Sequence, residues 1–327
     1  MKKKRVLSGM RPTGKTHLGH LHGILENWRD LQDEYECFYF AADWHALTSE
    51  YKNTALIKES LTEMIIDWMS VGIDPQRSTL FVQSWIKEHA ELHLLLSMIT
   101  PLGWLERNPT FKEQQEELAE KEVNTYGFFG YPVLQAADIL MYKGNYVPVG
   151  KDQLPHLEIT REIARRFNYL YQEVFPEPEA LLTEVPNLVG TDGRKMSKSY
   201  HNAIYLSDSD VELAAKIEQM VTDPQRAYRK DPGDPDVCNL FPYHRIHTEA
   251  AVVANIDTQC RCAGIGCREC KQILIKRVQE FLAPIQEKRQ YYLTHRSEVE
   301  EIIQAGTGRA RKVSQHTMAE VRDAMRI

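Results

Sequence analysis

The alternation of strand and helix patterns along the first two-thirds of the chain constrains the fold most. Short apolar runs typical of buried strands lie at 5–8, 37–41, 79–83 and 146–149. Longer patterns that predict helices cover 18–31, 54–71, 89–99 and 153–167. Because parallel strands need helical crossovers, this order predicts an α/β fold with a parallel sheet and helices on both faces. Ligands of such sheets bind beyond the carboxyl ends of the strands.

After Tyr205 the pattern changes to helices alone. We predict helices at 211–221, 268–295 (with a break at Pro284), 298–304 and 317–325. Ser209 and Glu212 have the spacing of a capping box at the start of the first of these helices. The chain is therefore divided into a Rossmann-like α/β domain, residues 1–206, and an all-helical domain, residues 207–327.

Length and composition are those of an ordinary globular protein. The 327 residues suffice for two sizeable cores, and 43% of them are hydrophobic. The net charge of −6 gives no bulk signal for nucleic-acid binding. No long apolar segment follows the basic N-terminus or reaches the length of a membrane span. We therefore expect a cytoplasmic protein with no signal peptide and no membrane contact.

The glycine-rich stretch after the first strand fits two different motifs. Gly9-x4-Gly14-Lys15-Thr16 fits the P-loop of nucleotide hydrolases, whereas the next four residues read His17-Leu18-Gly19-His20. Both place backbone N–H groups and a helix N-terminus where a polyphosphate can bind. A plain turn between strand and helix is the third interpretation, since glycines also serve backbone geometry alone.

A second motif lies far downstream and reads Lys195-Met196-Ser197-Lys198-Ser199. An HxGH motif near the N-terminus followed by KMSKS resembles the two signatures of class I aminoacyl-tRNA synthetases. The P-loop match is then a coincidence, and a P-loop helix would carry Gly19 and Gly23 early, each at a cost of about 1 kcal/mol. A P-loop hydrolase stays the alternative from another enzyme class.

The segment Tyr131 to Tyr142 predicts a helix on which Tyr131, Gln135, Asp138 and Tyr142 share one face. An Asp among apolar residues either pairs with a cation or binds a ligand. The segment resembles the amino-acid-recognition helix of tryptophanyl-tRNA synthetases. This resemblance implies that Asp138 accepts the indole N–H and that Tyr131 holds the α-ammonium group. Gln135 also occurs in tyrosyl enzymes, so tyrosine stays the alternative substrate.

Other stretches are similar to the same family. Asp43 to Thr48 resembles the DxHALT stretch of this family, and residues 105–110 also resemble a family segment. We assign no chemical role to either stretch. In the block from Val147 to Arg161, Lys151 replaces the usual Glu, which favours a backbone contact at that position. A strongly charged surface helix is predicted at 110–124.

The resemblance implies three sets of site residues. The catalytic set is His17, His20, Lys195 and Lys198. The ATP-binding set is Arg11, Pro12, Thr13, Gly19, His20, Gly150, Lys151, Asp152, Leu188, Lys195, Met196, Ser197, Lys198 and Ser199. The tryptophan-binding set is Tyr131, Gln135, Asp138 and Gln153. The lysines of a mobile loop can stabilise charge on the departing pyrophosphate, and positioning replaces a general base.

Five of the six cysteines lie between Cys238 and Cys270. Such clustering in a cytosolic chain favours a metal over disulfides, and both zinc and an iron–sulfur cluster accept four thiolates. Some bacterial tryptophanyl-tRNA synthetases carry a four-iron (4Fe-4S) cluster held by C-x22-C-x6-C-x2-C. This resemblance implies Cys238, Cys260, Cys267 and Cys270 as ligands, with one residue fewer in the first spacing and Cys262 as a spare thiol. The cluster is favoured over zinc.

The implied reaction joins tryptophan to tRNA(Trp) through tryptophanyl-adenylate, with ATP and Mg²⁺. The resemblance further implies a homodimer, anticodon binding by residues 207–327 and no editing domain, because the indole can be selected by the pocket alone. A non-catalytic iron–sulfur protein that binds RNA is the third alternative.

Overall fold

The computed structural model describes residues 3–108, 122–182, 188–198 and 200–327. Ser199 and the first twelve residues of the helix predicted at 110–124 lie outside the described residues.

Five parallel strands form one sheet in the order β3-β2-β1-β4-β5. The predicted α/β fold class is confirmed, and the four predicted strands all occur. The fifth strand was missed because its residues, Glu, Ala and two Leu, favour helix over strand and are exposed or half-buried. The strands are β1 (Arg5–Met10), β2 (Glu36–Ala41), β3 (Ser78–Val82), β4 (Tyr146–Val149) and β5 (Glu179–Leu182).

Helices account for most of the remaining described residues. In chain order they are α1 (Leu18–His20), a π-helical turn (Leu21–Leu25), α2 (Glu26–Leu31), α3 (Asp43–Glu50), α4 (Thr54–Ser70), a 3₁₀ turn (Gln83–Trp85), α5 (Glu88–Ser97), α6 (Leu102–Glu106), α7 (Tyr126–Phe129), α8 (Tyr131–Met141), a 3₁₀ turn (Lys151–Gln153), α9 (Leu154–Leu170), α10 (Asp210–Gln219), α11 (Phe241–His247), α12 (Ala250–Arg261), α13 (Cys267–Thr294) and α14 (Arg296–Met325).

The chain forms two compact units that both draw on distant parts of the sequence. Unit 1 comprises Met1–Gly14, Leu25–Glu184 and Tyr292–Ile327, and unit 2 comprises Lys15–Ile24 and Val185–Tyr291. These units differ from the predicted division at 206/207, since the HxGH motif lies in unit 2 and the last helix in unit 1. As a division by function, the boundary at 206/207 stays a prediction.

The core of unit 1 lies between the sheet and its helices, and α14 contributes to it. Ala310, Met318 and Val321 are fully buried in the same core as Phe38 of β2 and Phe81 of β3. At Gly306 a Cβ atom would stand 1.8 Å from the carbonyl oxygen of Leu80 in β3, so only glycine permits this approach. The two short helices predicted at 298–304 and 317–325 are therefore one helix, because Gly306 serves packing rather than a break.

Unit 2 is helical, and its first long helix begins as predicted. Ser209 caps α10 through the N–H of Glu212, and the Glu212 carboxylate accepts from the N–H of Ser209 in return. The break predicted at Pro284 is wrong, because α13 continues through this residue. Among the described residues, no helix is long and apolar enough to cross a membrane.

Candidate active site

Asp138 is a buried carboxylate at the centre of a hydrogen-bonded polar cluster in unit 1. Helix α8 begins with Pro132 in its first turn and places Asp138 two turns later, with 1% of the residue exposed. Tyr131 and Tyr142, predicted on the same face, are also buried, and Gln135 is half-buried. The structure thus brings the predicted face of the helix into the interior.

Three side chains from three other elements hold the Asp138 carboxylate. His89 Nδ1 lies 2.6 Å from Oδ1 and His45 Nε2 lies 2.8 Å from Oδ2. Gln83 Nε2 donates to both oxygens, at 2.8 and 2.9 Å. Because a carboxylate only accepts hydrogen bonds, both facing histidine nitrogens carry protons.

These donors keep Asp138 ionised in spite of its burial. Burial alone would raise the pKa of Asp138, but the hydrogen bonds and charges of His45 and His89 outweigh it and lower the pKa to about 2. The polar cluster around Asp138 therefore contains a fixed negative charge that can accept a hydrogen bond from a substrate.

Gln83 joins the carboxylate to the start of α3. Its side chain is fully buried at the end of β3, and its Oε1 accepts from the backbone N–H groups of Trp44 (3.1 Å) and His45 (3.4 Å). The Asp43 carboxylate accepts in turn from the N–H of Ser84 at 3.0 Å, and burial raises the pKa of Asp43. The carboxyl ends of β2 and β3 are thereby fixed around Asp138.

His89 extends the network to Tyr142. Its Nε2 lies 2.7 Å from the Tyr142 hydroxyl, while its Nδ1 donates to Asp138. Burial, and next the charge of Asp138, raise the pKa of Tyr142 well above its usual value, so the phenol stays protonated. Sequence reasoning missed Gln83 and His89, because a single buried Gln or His carries no motif.

A second polar chain runs from Tyr131 to the residues after β4. His156 contacts the Tyr131 hydroxyl through Nε2 at 2.5 Å and the Gln153 side-chain oxygen through Nδ1 at 3.2 Å. Burial, followed by the charge of His45, lowers the pKa of His156 to about 4, so the ring is neutral. Gln153 also donates to Asp152 at 2.8 Å. Tyr131 and Gln153, both predicted to bind the substrate, are thus joined by His156.

The predicted ATP residues of unit 1 follow two neighbouring strands. Arg11, Pro12 and Thr13 come directly after β1, and 150–152 come directly after β4. The strand order reverses between β1 and β4, which is where open α/β sheets bind ligands. Gly150 to Asp152 are exposed or half-buried there.

The HxGH motif forms the start of a helix in unit 2. The rings of His17 and His20 are stacked with centroids 3.7 Å apart, and the N–H of His17 donates to His20 Nδ1 at 3.3 Å. Burial, and next the charge of Lys198, lower the pKa of His17 to about 4. Burial, His17 and Lys198 lower the pKa of His20 well below its usual value. Both rings are neutral near pH 7 and can each donate one N–H.

The KMSKS segment lies next to this helix start. Met196 is buried against Gly19, where a Cβ atom would stand 3.6 Å from the Met196 sulfur and 3.0 Å from the His17 ring. Lys198 is close enough to lower the pKa of both histidines, whereas Lys195 is exposed. The structure therefore brings His17, His20 and Lys198 together within unit 2.

Asn202 organises the turn that carries the two lysines. It is almost fully buried, accepts from the N–H of Ser197 at 2.8 Å, and donates to Asp192 at 2.7 Å and to the Lys195 carbonyl at 3.1 Å. Asp192 also accepts from Arg194. Asn202 was not identified from the sequence, because it lies outside the motif that it holds.

The four predicted ligand cysteines come close to one another in unit 2. Burial, followed by the nearby Cys238, Cys260 and Cys267, raises the pKa of Cys270 to about 12. Cys262 is exposed, and its sulfur instead contacts the Gln259 carbonyl at 3.7 Å. Still, no group of three or more His, Cys, Asp or Glu side chains in the described ranges has the geometry to hold a metal ion.

Comparison with known proteins gives the family. The model for class I tRNA synthetases (W and Y) matches residues 1–283. The chain belongs to this family. The predicted resemblance to class I aminoacyl-tRNA synthetases is confirmed, and the P-loop and non-catalytic alternatives are wrong, whereas membership of the iron–sulfur subset stays a prediction.

Relatives in the family match over their whole length. A tryptophan–tRNA ligase of Thermotoga maritima is 53% identical and one of Aquifex aeolicus is 46% identical; the matches cover 99% of this chain in both cases and 99% and 100% of the relatives. The tryptophanyl-tRNA synthetase of Campylobacter jejuni, crystallised with ADP and tryptophan, has a TM-score of 0.90 at 36% identity over 99% of this chain and 100% of that one.

Proposed function

We propose that the chain is a tryptophan–tRNA ligase. A tryptophan carboxylate oxygen attacks the α-phosphorus of ATP and pyrophosphate leaves. A terminal hydroxyl of tRNA(Trp) then attacks the carbonyl carbon of the tryptophanyl-adenylate, and AMP leaves. The observation that carries this proposal for the amino acid is the buried, ionised Asp138. The full-length similarity to tryptophan–tRNA ligases supports it.

Asp138 selects the indole by accepting its N–H. All the lone-pair directions of this carboxylate already have a protein contact, so the indole must replace one donor. His45 is the best candidate, because its side chain is 12% exposed while that of His89 is fully buried. We therefore propose that His45 gives up Oδ2 when tryptophan binds, and that Gln83 and His89 keep the carboxylate in place.

Tyr131 and Gln153 bind the polar end of tryptophan. The neutral His156 orients both of them through its two ring nitrogens, so that the Tyr131 hydroxyl and the Gln153 amide are held to face the α-ammonium and carboxylate groups. Gln135 is half-buried on the same face of α8 as Asp138 and completes the tryptophan-binding set.

ATP binds through the residues that the family resemblance implies. Backbone groups of 11–13 and 150–152 bind the nucleoside end, which suits Lys151 in place of a carboxylate, and Leu188 packs near the adenine. Gly19 and the segment from Met196 to Ser199 frame the triphosphate, and Mg²⁺ accompanies it. Neutral His17 and His20 donate to phosphate oxygens, while Lys195 and Lys198 stabilise the charge that develops on pyrophosphate.

The helical part of the chain, 207–327, binds the tRNA anticodon. A groove of about 390 Å³ in unit 2 supports this assignment. In its wall the Arg245 guanidinium lies 4.9 Å from the centre of the Phe241 ring, and Arg261 pairs with Asp236 at 2.7 Å. The guanidinium plane of Arg245, held over the buried Phe241 ring, can stack on an unstacked nucleobase, and the neighbouring arginine and carboxylate can hydrogen-bond it. Arg245→Ala should weaken tRNA charging but leave tryptophan activation unchanged.

We also propose that Cys238, Cys260, Cys267 and Cys270 hold a 4Fe-4S cluster, with zinc as the less favoured occupant. Four thiols are the donor chemistry that such a cluster takes, and the four lie close enough to affect one another, with Arg226 at 3.7 and 3.9 Å from the sulfurs of Cys260 and Cys267, although the described side chains do not form a metal-binding geometry. Bound there, the cluster would cross-link the loop before α11 to the ends of α12 and α13.

Iron and inorganic sulfide analysis of anaerobically purified protein tests the cluster. Cys267→Ser is expected to lose both elements, whereas Cys262→Ser, a matched change at the exposed thiol, is expected to keep them. Zinc without sulfide would contradict the cluster, and equal metal content in both variants would contradict the ligand set.

ATP–pyrophosphate exchange with each of the twenty amino acids tests the function. We expect exchange with tryptophan alone and charging of tRNA(Trp). Exchange with tyrosine alone would overturn the specificity, and no exchange in folded protein would overturn the proposed reaction. The reaction belongs in the cytoplasm, where tRNA is charged.

A further inference from the structure

Helix α11 contacts both ATP signature segments within unit 2. Tyr243 and His244 of this helix are fully buried, and each of Tyr243, His244 and His247 contacts a different neighbour. No motif covers these three residues, and the proposed chemistry does not use them.

His247 supports the HxGH side. The Leu21–Leu25 segment directly after His20 is a π-helical turn, an uncommon geometry that is frequent at functional sites. Its buried His22 packs against the rings of His247 and Phe281, with centroids 5.0 and 5.6 Å away. Neither ring nitrogen of His247 has a hydrogen-bond partner among the described residues, so the contact is one of shape.

Loss of this contact would affect His20. A π-turn contains one residue more than an α-turn, so its relaxation would rotate the His20 side chain by roughly 100° about the helix axis. The packing of His22 against His247 and Phe281 opposes such relaxation.

Tyr243 supports the KMSKS side. Its hydroxyl donates to the carbonyl of Val189 at 2.5 Å, and Val189 pairs with Lys195 as an isolated antiparallel bridge. The turn between them contains Asp192 and Gly193. The φ of Gly193 is +87°, a conformation that favours glycine. One hydroxyl on α11 therefore fixes the base of the turn that presents the lysines.

The third contact seats the helix itself. His244 Nε2 lies 3.2 Å from the sulfur of Cys270 at the start of α13, and His244 Nδ1 lies 3.0 Å from the Thr248 hydroxyl. Helix α11 is thus held on the cysteine-bearing helix while its other two side chains reach the ATP segments.

We infer that Tyr243 and His247 are positioning residues for ATP, through which α11 holds the HxGH and KMSKS segments in place relative to each other. Neither residue touches the reacting atoms. Substitution of either residue should displace the groups that bind ATP. It should leave the proposed tryptophan-binding residues, which belong to unit 1, unchanged. The inference rests on the proposed use of ATP by these two motifs.

Steady-state ATP–pyrophosphate exchange with ATP and tryptophan varied separately tests this inference. Tyr243→Phe removes one hydroxyl and keeps the ring, and His247→Ala removes the packing. Each should raise the KM for ATP by about ten-fold, with the KM for tryptophan within about two-fold of wild type. His247→Phe should recover most of the ATP affinity, because the ring rather than its nitrogens makes the contact.

Ile256→Ala provides the control for mere destabilisation, since Ile256 is buried in α12 of the same unit and belongs to neither motif. It should lower Tm without a selective rise in the KM for ATP. An unchanged KM for ATP in Tyr243→Phe and His247→Ala would overturn the inference, as would a parallel rise of both KM values. Failure of the proposed function is distinguishable, because wild-type protein would then show no exchange.

Discussion

At the scale of single residues, Asp138 combines two demands on one carboxylate. The three protein donors that keep it ionised also make it part of the fold, so Asp138→Ala would leave His45, His89 and Gln83 without their acceptor. Asp138→Asn keeps the shape and removes the charge, and it therefore separates recognition from packing better.

The stability of the protein should depend on Asp138 in acid. Its folded pKa of about 2 lies below the unfolded value of about 3.9, so its contribution is complete above about pH 5 and is lost as the pH falls through 2. The difference in the free energy of unfolding between wild type and Asp138→Asn should shrink by about 2 kcal/mol over that range. Urea titrations at several pH values measure it, and a constant difference would contradict the ionised state.

The histidines of the HxGH motif should act as neutral donors. Because the pKa of His17 is lowered to about 4, protonation begins only well below neutral pH. The ratio of kcat/KM for ATP between wild type and His17→Asn should stay constant from about pH 5 to about pH 8, since this parameter reports the free enzyme. A bend near the ordinary histidine pKa of about 6.5 would show instead that His17 acts as a cation.

At the scale of elements, α14 shows how a glycine can serve packing inside a long helix. Gly306 and Gly308 both lie in this helix, but a Cβ at Gly306 meets the β3 backbone and a Cβ at Gly308 meets nothing within 4 Å. Gly306→Ala should cost about 3 kcal/mol or more through overpacking, whereas Gly308→Ala should stabilise by up to about 1 kcal/mol. Urea denaturation of the two variants tests this pair, and equal effects would contradict the close approach.

Elements with a strong local signal could be predicted from the sequence. Strand β4 and helix α8 occur at or within one residue of the predicted bounds, because apolar runs, Pro132 and neighbouring turns mark them. Strand β5 could not be predicted, since its residues include no β-branched or aromatic side chain and have helix propensity. Helix α14 was divided at its glycines, because local propensity cannot anticipate a tertiary contact with β3.

The candidate site divides in the same way. The motif residues His17, His20, Lys198 and Asp138 could be chosen from the sequence. In the structure the first three lie close together in unit 2, and Asp138 is buried in a hydrogen-bonded cluster in unit 1. Gln83, His89 and Asn202 could not be chosen, because they act through tertiary hydrogen bonds and not through spacing. Their signal lies in burial, which a single sequence does not report for polar residues.

At the scale of the whole molecule, we propose that the chain is a homodimer. Leu94 lies in α5, Met98 directly follows the last residue of α5, and Leu102 is the first residue of α6. All three side chains are more than half exposed. Exposed leucine and methionine side chains on successive helices are typical of a protein interface. A second copy of the chain fits this surface because the contact of a two-fold dimer can be self-complementary.

Met98→Glu should therefore dissociate the dimer, because it places a charge within the apolar contact. Light scattering after gel filtration measures the mass at several concentrations. Tyr169→Glu is the matched control, since Tyr169 is 88% exposed at the end of α9, outside the proposed interface. A monomeric wild type, or dissociation in the control alone, would contradict the proposal.

The most direct test of the whole account uses the substrate and its acceptor together. ATP–pyrophosphate exchange is measured for wild type and Asp138→Asn, with tryptophan and with 3-benzothienylalanine, in which sulfur replaces the indole N–H. We predict that wild type prefers tryptophan by about ten-fold or more and that Asp138→Asn loses most of this preference, since its neutral amide oxygen is a weaker acceptor. The same preference in both proteins, or no exchange with tryptophan, would contradict the account.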